Sequence, residues 1–234
     1  MKPAIFFLVV ALLACNACNA LTSLSSSLPV VPACADPTDC TSEIKAALKA
    51  GGTVRLTAAG SPWITQPVAI HTPNTILEVE DGAVLLARRW YFNSTGASLL
   101  EIGGTENITI IGVPAPSGGG AASNVSNPMG ALRMWRSDYN NPKWYKHAEW
   151  RMALWIGNSK NILIKNIILE ESGGDGIYLG ASFNKNVTVE NCVSRNNYRQ
   201  GISVITVDGL YVSDTVFEGT KGTAPMAGID FEPE

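Results

Sequence analysis

Between residues 154 and 231 the sequence repeats in a way that few folds tolerate. Leu154-Trp155-Ile156, Ile177-Tyr178-Leu179, Ile202-Ser203-Val204 and Ile229-Asp230-Phe231 are separated by steps of 23, 25 and 27 residues. In each triplet two apolar residues flank a middle one, the alternation of a strand with one buried face. Gly176, Gly201 and Gly228 precede three of the four. A second column keeps step with the first: Ile108-Thr109-Ile110, Ile162-Leu163-Ile164, Val187-Thr188-Val189 and Leu210-Tyr211-Val212, preceded by Asn107, Asn161, Asn186 and Gly209. A third reads Asn166-Ile167-Ile168, Asn191-Cys192-Val193 and Asp214-Thr215-Val216. Each period therefore holds three short strands, with Asn or Asp recurring at two corners. Stacked corner amides can bond to one another and to backbone groups freed at a turn. A sandwich or barrel also shows short alternating strands, but has no reason to hold Asn at one phase of such a period. The pattern predicts an all-β solenoid, a coil of parallel strands.

Earlier in the chain, short β runs at 53–56, 68–70, 76–79 and 83–86 are separated by Gly, Pro or Asn, each the length of one side of a coil. Residues 132–134 read as a further strand of the first column. One helix is expected ahead of them, capped by Thr41 or Ser42, apolar along Ile44, Ala47 and Leu48, and stopped by Gly51-Gly52. A solenoid seals its first coil with such a helix.

The run from Ser172 to Gly180 (SGGDGIYLG) and that from Asn197 to Val204 (NYRQGISV), set in this register, resemble the right-handed parallel β-helix, or pectin-lyase-like, superfamily. The resemblance covers residue 40 to the end. It implies a right-handed parallel β-helix and a polysaccharide partner. The superfamily includes lyases, hydrolases, C5-epimerases and non-catalytic adhesins, so the fold leaves the reaction open. The paired-Asp and Gly-His-Gly motifs of its hydrolases are absent. So are the Asp-His and Arg-x-Pro-x-x-Arg motifs of its lyases and the Asp-Pro-His-Asp motif of alginate epimerases.

Both ends carry further expectations. Residues 1–20 read as a signal peptide, with Lys2, an apolar run from Ile5 to Ala14 and small residues at 18–20. Leu12 to Cys15 also resembles a lipobox, though Leu13 is bulky for one. Residues 21–40 form a Ser- and Pro-rich leader, and 41–234 the β-helix domain. No other stretch approaches membrane length. A secreted, extracellular protein follows, in which Cys34 and Cys40 can close a disulfide loop, Cys192 is a packed core residue, and Asn93 and Asn124 are glycosylation acceptors. The sequons at Asn107 and Asn186 fall on corners, where the Asn has a structural task. The repeat runs undiminished into residues 228–234 and stops after one strand of a new coil. The expectation is a C-terminally truncated chain whose full-length form is a monomer.

With 17 basic against 20 acidic residues, the chain has no electrostatic case for nucleic acid. Candidate chemistry gathers on the outward row of the first column: Glu101, Trp155, Tyr178, Ser203 and Asp230, roughly 4.8 Å apart per coil. Trp and Tyr offer flat faces suited to sugar rings. Asp230 and Glu232, two apart on one strand, would serve as an acid–base pair or hold a calcium ion. Asp175 lies at the corner leading to Tyr178, where capping the Gly-rich turn is its simplest role. Arg199 and Tyr178 would neutralise or protonate a uronate. The excursion at 113–151 is too long for a corner and rich in aromatic and basic residues, and reads as a lid over the groove. It supplies Trp144, Trp150 and His147, the better general base of two histidines, while His71 reads as structural. Asp230, Tyr178, Arg199 and His147 are thus the catalytic candidates, and Trp155, Ser203, Glu232, Trp144 and Trp150 the substrate-binding ones. No zinc spacing occurs, and calcium is the one cofactor left open. The expected function is lyase or C5-epimerase chemistry on an acidic polysaccharide, against a non-catalytic glycan-binding wall or matrix protein, or an inactive partial chain.

Overall fold

The computed structural model of the protein describes residues 30–115, 128–180 and 182–232. Residues 1–29, which include the expected signal peptide and the start of the leader, lie outside these residues, as does Asn124. Three parallel six-stranded sheets form the sides of a coil. The first holds Val68–Ile70, Leu100–Gly103, Leu154–Gly157, Ile177–Leu179, Ile202–Val204 and Ile229–Phe231. The second holds Thr53–Leu56, Ile76–Glu80, Glu106–Val113, Lys160–Lys165, Asn184–Glu190 and Val207–Ser213. The third holds Trp63–Thr65, Val84–Ala87, Gly130–Arg133, Ile167–Glu170, Val193–Arg195 and Val216–Glu218.

The register is the one the sequence predicts. Glu101 pairs with Trp155, Trp155 with Tyr178, Tyr178 with Ser203 and Ser203 with Asp230. Leu154, Ile177 and Ile202 beside them are fully buried, whereas Ile229, on the last described coil, is exposed. Burying such a side chain contributes about 1.5–3 kcal/mol, and Ile162, Ile164, Val187, Val189, Ile167 and Leu169 do the same for the other two sheets.

The corner before the second sheet is a ladder of amides. Asn107 donates to Asn74 at 2.9 Å, Asn161 to Asn107 at 2.9 Å and Asn186 to Asn161 at 3.1 Å. All four have left-handed backbone (φ 58°, 58°, 56° and 51°), and Gly209 continues the series at 82°. That conformation costs an ordinary L-residue roughly 1–2 kcal/mol, and Asn bears it best because its side chain bonds locally. Asn166 and Asn191 form a second ladder at 2.8 Å, with Asp214 next in phase.

Two details depart from the sequence reading. The strand Gly130–Arg133 belongs to the third sheet, where Leu132 faces Leu85 and Leu169. Its apolar pattern fits either column, and the excursion hides the phase. The helix Thr41–Ala50 buries Ile44 and Leu48 as expected, but neither Thr41 nor Ser42 caps it. Asp39 accepts the Thr41 amide at 3.1 Å and also binds the Thr41 hydroxyl, Gln66 and Arg88. Cys34 and Cys40, just before the helix, form a disulfide, and Cys192 is a free, buried thiol. Among the described residues no helix is long and apolar enough to cross a membrane.

The ladder makes a direct prediction. Asn161→Gly removes two inter-amide bonds but keeps left-handed freedom, while Asn161→Ala loses both. Urea melts should place Asn161→Ala about 2 kcal/mol below the wild type and Asn161→Gly about 1 kcal/mol below it. Equal losses would show that the conformation carries no cost there.

Candidate functional site

The outward face of the first sheet forms the floor of a groove. Trp155 and Tyr178 are half-buried on it, and both rings lean along their own strands over a glycine. A Cβ at Gly157 would fall 2.3 Å from the Trp155 ring, and one at Gly180 2.1 Å from the Tyr178 ring. The two glycines let the rings lie flat against the sheet with their faces outward.

At the C-terminal end of the row the acids converge on Arg199. Its guanidinium lies 2.7 Å from Glu232, 3.6 Å from Asp175 and 3.9 Å from Glu149. Gln200 donates to Asp230 at 2.5 Å and accepts the Ala227 amide at 2.9 Å. Burial and then the neighbouring Glu232 carboxylate push Asp230 above the usual carboxylate range. A carboxyl biased toward its protonated form beside one ion-paired to arginine can work as an acid–base couple.

Asp175 is more central than the sequence implied. It is completely buried, beneath Arg199 and Ser203, and accepts the Ser203 hydroxyl at 2.8 Å. Its Oδ1 has no hydrogen-bond partner among the described residues. Burial drives its pKa up to about 7, outweighing the Ser203 bond and the Arg199 charge, which both act in the opposite direction. Ser203 is likewise fully buried. Neither is placed to touch a ligand; they hold Arg199 and the floor beneath Asp230. The signal for Asp175 was its position between Gly174 and Gly176 one corner before the row, which reads equally well as a turn cap.

Residues 134–153 form a wall along the corner between the third and first sheets. Tyr139 and Tyr145 are buried edge to face, at 4.9 Å. Arg151, fully buried beside both rings, donates to the carbonyls of Phe92 and Lys146 at 2.7 and 2.9 Å. These anchors tie the wall to the preceding corner. Trp144 packs edge to face on Trp90, and both are half-exposed. Trp150 is exposed. His147 is exposed and bonds to the Tyr198 hydroxyl at 3.1 Å. It makes no ion pair with the acids of the cluster. Glu149, from the same wall, does reach the cluster, and it accepts from Thr223 at 3.1 Å. No local signal points to this, because nothing in a long loop says which residue ends beside which corner. Asn93 lies on the corner at 88–98, with its amide bonded to the Trp90 carbonyl at 2.6 Å. Among the described residues no group of three or more His, Cys, Asp or Glu is placed to hold a metal ion.

Comparisons with known proteins agree with this architecture. The family model for the right handed beta helix region matches residues 78–229. The SPbeta prophage-derived uncharacterized protein YorA of Bacillus subtilis (strain 168) is 30% identical over 100 residues, 37% of this chain and 17% of that protein. The uncharacterized protein YclG of the same strain is 29% identical over 152 residues, 60% of this chain and 24% of that protein. The chain thus spans a quarter or less of the length of these relatives. Among solved structures, a "putative glycosyl hydrolase" from Parabacteroides merdae ATCC 43184 superposes with a TM-score of 0.57 at 15% identity, over 83% of this chain and 89% of that one. At that identity the likeness concerns the fold.

The buried acid makes its own prediction. Because the folded pKa of Asp175 lies above its unfolded value, the group costs stability as pH rises from about 4 to about 7, and the cost is constant above that. Thermal melts of Asp175→Asn and wild type across this window should show the variant gaining on the wild type with pH, by up to about 4 kcal/mol. A difference that stays flat from pH 4 to 8 would mean that Asp175 is ionised throughout.

Proposed function

This chain belongs to the right-handed β-helix family, and from that premise we propose that it acts on a polysaccharide laid along the first sheet, with Asp230 and Glu232 as the acid–base pair that cleaves a glycosidic bond. The observation that carries the reading is the Asp230–Glu232 couple at the end of a row of outward aromatics, with Asp230 raised and Glu232 ion-paired to Arg199 at 2.7 Å. Glycoside cleavage needs one carboxyl that gives a proton to the leaving oxygen and one that activates water or attacks. The raised Asp230 fits the first role and the arginine-bound Glu232 the second. The flat faces of Trp155 and Tyr178 supply binding surface for successive sugars. The solved neighbour named as a glycosyl hydrolase is consistent with this.

Charge favours cleavage by hydrolysis over the β-elimination or C5-epimerisation that the sequence reading expects. Those reactions need a cation left over to neutralise the uronate. Here Arg199 is already paired with Glu232, Asp175 and Glu149. With that cation engaged, a neutral or sparsely charged polymer suits the site better than a polyuronate. Lyase or epimerase action would require Arg199 to leave Glu232 and meet the sugar carboxylate. Secretion and a monomeric state belong to the same proposal: the Cys34–Cys40 disulfide suits an oxidising compartment, where such polymers are found.

The test is an assay of the chain on neutral and uronate polysaccharides. It follows new reducing ends, ultraviolet absorbance from unsaturated products, and uronate composition. Hydrolysis gives reducing ends without absorbance; elimination gives both; epimerisation changes composition without cleavage. Asp230→Asn and Glu232→Gln should each lower cleavage by about 100-fold or more with an unchanged melt. Activity should fall at high pH as Asp230 loses its proton. Binding without turnover on every polymer would leave a glycan-binding protein in place of an enzyme.

A further inference from the structure

On the opposite edge of the first sheet, at the corner leading to the second, lies a pocket of about 510 Å³. Its origin is a difference in corner length. The links after Leu100–Gly103 and Leu154–Gly157 are two residues each, Gly104-Thr105 and Asn158-Ser159. The links below and above them are longer: His71 to Thr75 below, and residues 180–183 above. Two short corners between two long ones leave a notch. Pro73 and His71 form its lower lip and Phe183 and Lys185 its upper one, with Glu106 and Lys160 on the inner side.

Three observations mark the notch as a binding site. Thr105, on its floor, is more than nine-tenths buried, yet its hydroxyl has no hydrogen-bond partner among the described residues. A buried hydroxyl left without a partner costs about 1–3 kcal/mol, so such a group in a pocket wall is one a ligand can satisfy. Phe183 stands at the rim 58% exposed, an apolar face with little to cover it. His71 donates its Nδ1 hydrogen to the Gly103 carbonyl at 2.7 Å, which fixes the ring and leaves Nε2 as an acceptor. The pocket also lies beside the aromatic row. A Cβ at Gly103 would touch His71 Cε1 and Trp155 Cζ3, each at 3.5 Å, so only the bare glycine separates the histidine from the tryptophan on the groove floor.

We propose that this notch is a remote subsite that holds one sugar ring of the polymer, with its apolar face on Phe183 and its hydroxyls bonded to Thr105, His71 Nε2 and the Glu106–Lys160 pair. That pair, 2.6 Å apart and half-exposed, offers an acceptor and a donor side by side, as a sugar diol requires. The inference rests on the polysaccharide reading of the groove and adds a direction to it. From the notch to Asp230 the path crosses the width of the sheet and climbs about three coils. At roughly 3.3 Å per residue along a strand and roughly 4.8 Å per coil, that is on the order of 15–20 Å, several sugar units. A polymer engaged at both ends therefore crosses the sheet diagonally over Trp155 and Tyr178. Short oligomers reach one end only, so the notch makes affinity depend on chain length.

The experiment titrates the full chain by calorimetry with xylo-, manno- and galacturono-oligosaccharides of two to eight units, in the Glu232→Gln background so that none is cleaved. Phe183→Ala and Thr105→Val are compared with that background, with thermal melts as a folding control. Phe183 is exposed and valine is isosteric with threonine, so both variants should melt as the parent does. The expected result is a long oligomer bound at least tenfold more tightly than a trimer, with each variant reducing that advantage by fivefold or more. Long oligomers bound equally by parent and variants would overturn the notch and leave the groove reading standing. Should no oligomer bind the parent, the notch and the polysaccharide reading fail together.

Discussion

The corner asparagines are the constraint on which the rest of this structure depends. Parallel strands stacked in register present identical backbone positions one above another, so any conformation needed at one corner is needed at every corner of that edge. Left-handed backbone at the start of the second sheet is such a conformation. Four coils meet it with Asn74, Asn107, Asn161 and Asn186, and the next with Gly209. Each amide donates to the asparagine one coil earlier, so the turn and the stack are stabilised by the same atoms. Slipping the chain by one residue would break this ladder and also turn the apolar triplets outward. The outward row of the first sheet inherits its regularity from that lock.

What repeats is therefore what the sequence displays. The three columns, the corner amides and the Glu101-to-Asp230 row are legible because each is stated several times in phase, and a chance match at one coil is corrected by the next. Features that occur once are poorly legible. The strand Gly130–Arg133 follows a long excursion, which erases the phase, and its Ala-Leu-Arg pattern fits any sheet. The excursion itself reads as a ligand-facing lid because its aromatics and cations are counted without knowledge of their partners. In the fold Tyr139 and Tyr145 join the main hydrophobic core with Arg151 buried beside them, so these groups face inward. Glu149 enters the acid cluster by that route, and no local signal announces it.

The cluster around Arg199 shows how electrostatics distributes roles among similar groups. Three carboxyls share one guanidinium with Asp230 nearby, and burial separates them. Asp175, sealed beneath Arg199, is pushed furthest, up to about 7. Glu232 and Glu149 remain about one-third exposed at the side chain and meet the arginine directly. Asp230 stands between, raised by burial and by the adjacent Glu232. The sequence places Asp175 at a Gly-rich corner and Asp230 on the outward row, which does not tell how deeply either is buried. Only the depth of each below the surface separates a group that supports the floor from one that can reach a substrate.

The two edges of the first sheet are built under opposite rules, and this divides the chemistry between them. On the edge toward the second sheet, the Asn ladder begins immediately after each link, so the links start and finish at fixed heights. Small differences in their length, two residues against four or five, then become concave relief such as the notch above Thr105. The edge arriving from the third sheet has no ladder bridging every coil; Glu171, Asn196 and Gly219 hold its left-handed position in turn. Insertions enter there at low cost, since lengthening a loop adds little closure entropy once its ends are fixed. The long wall at 134–153 and the acid-bearing corners at 171–176 and 196–201 all lie on that side. A locked edge that shapes and a permissive edge that brings in reactive groups is how a monotonous coil acquires a site with direction.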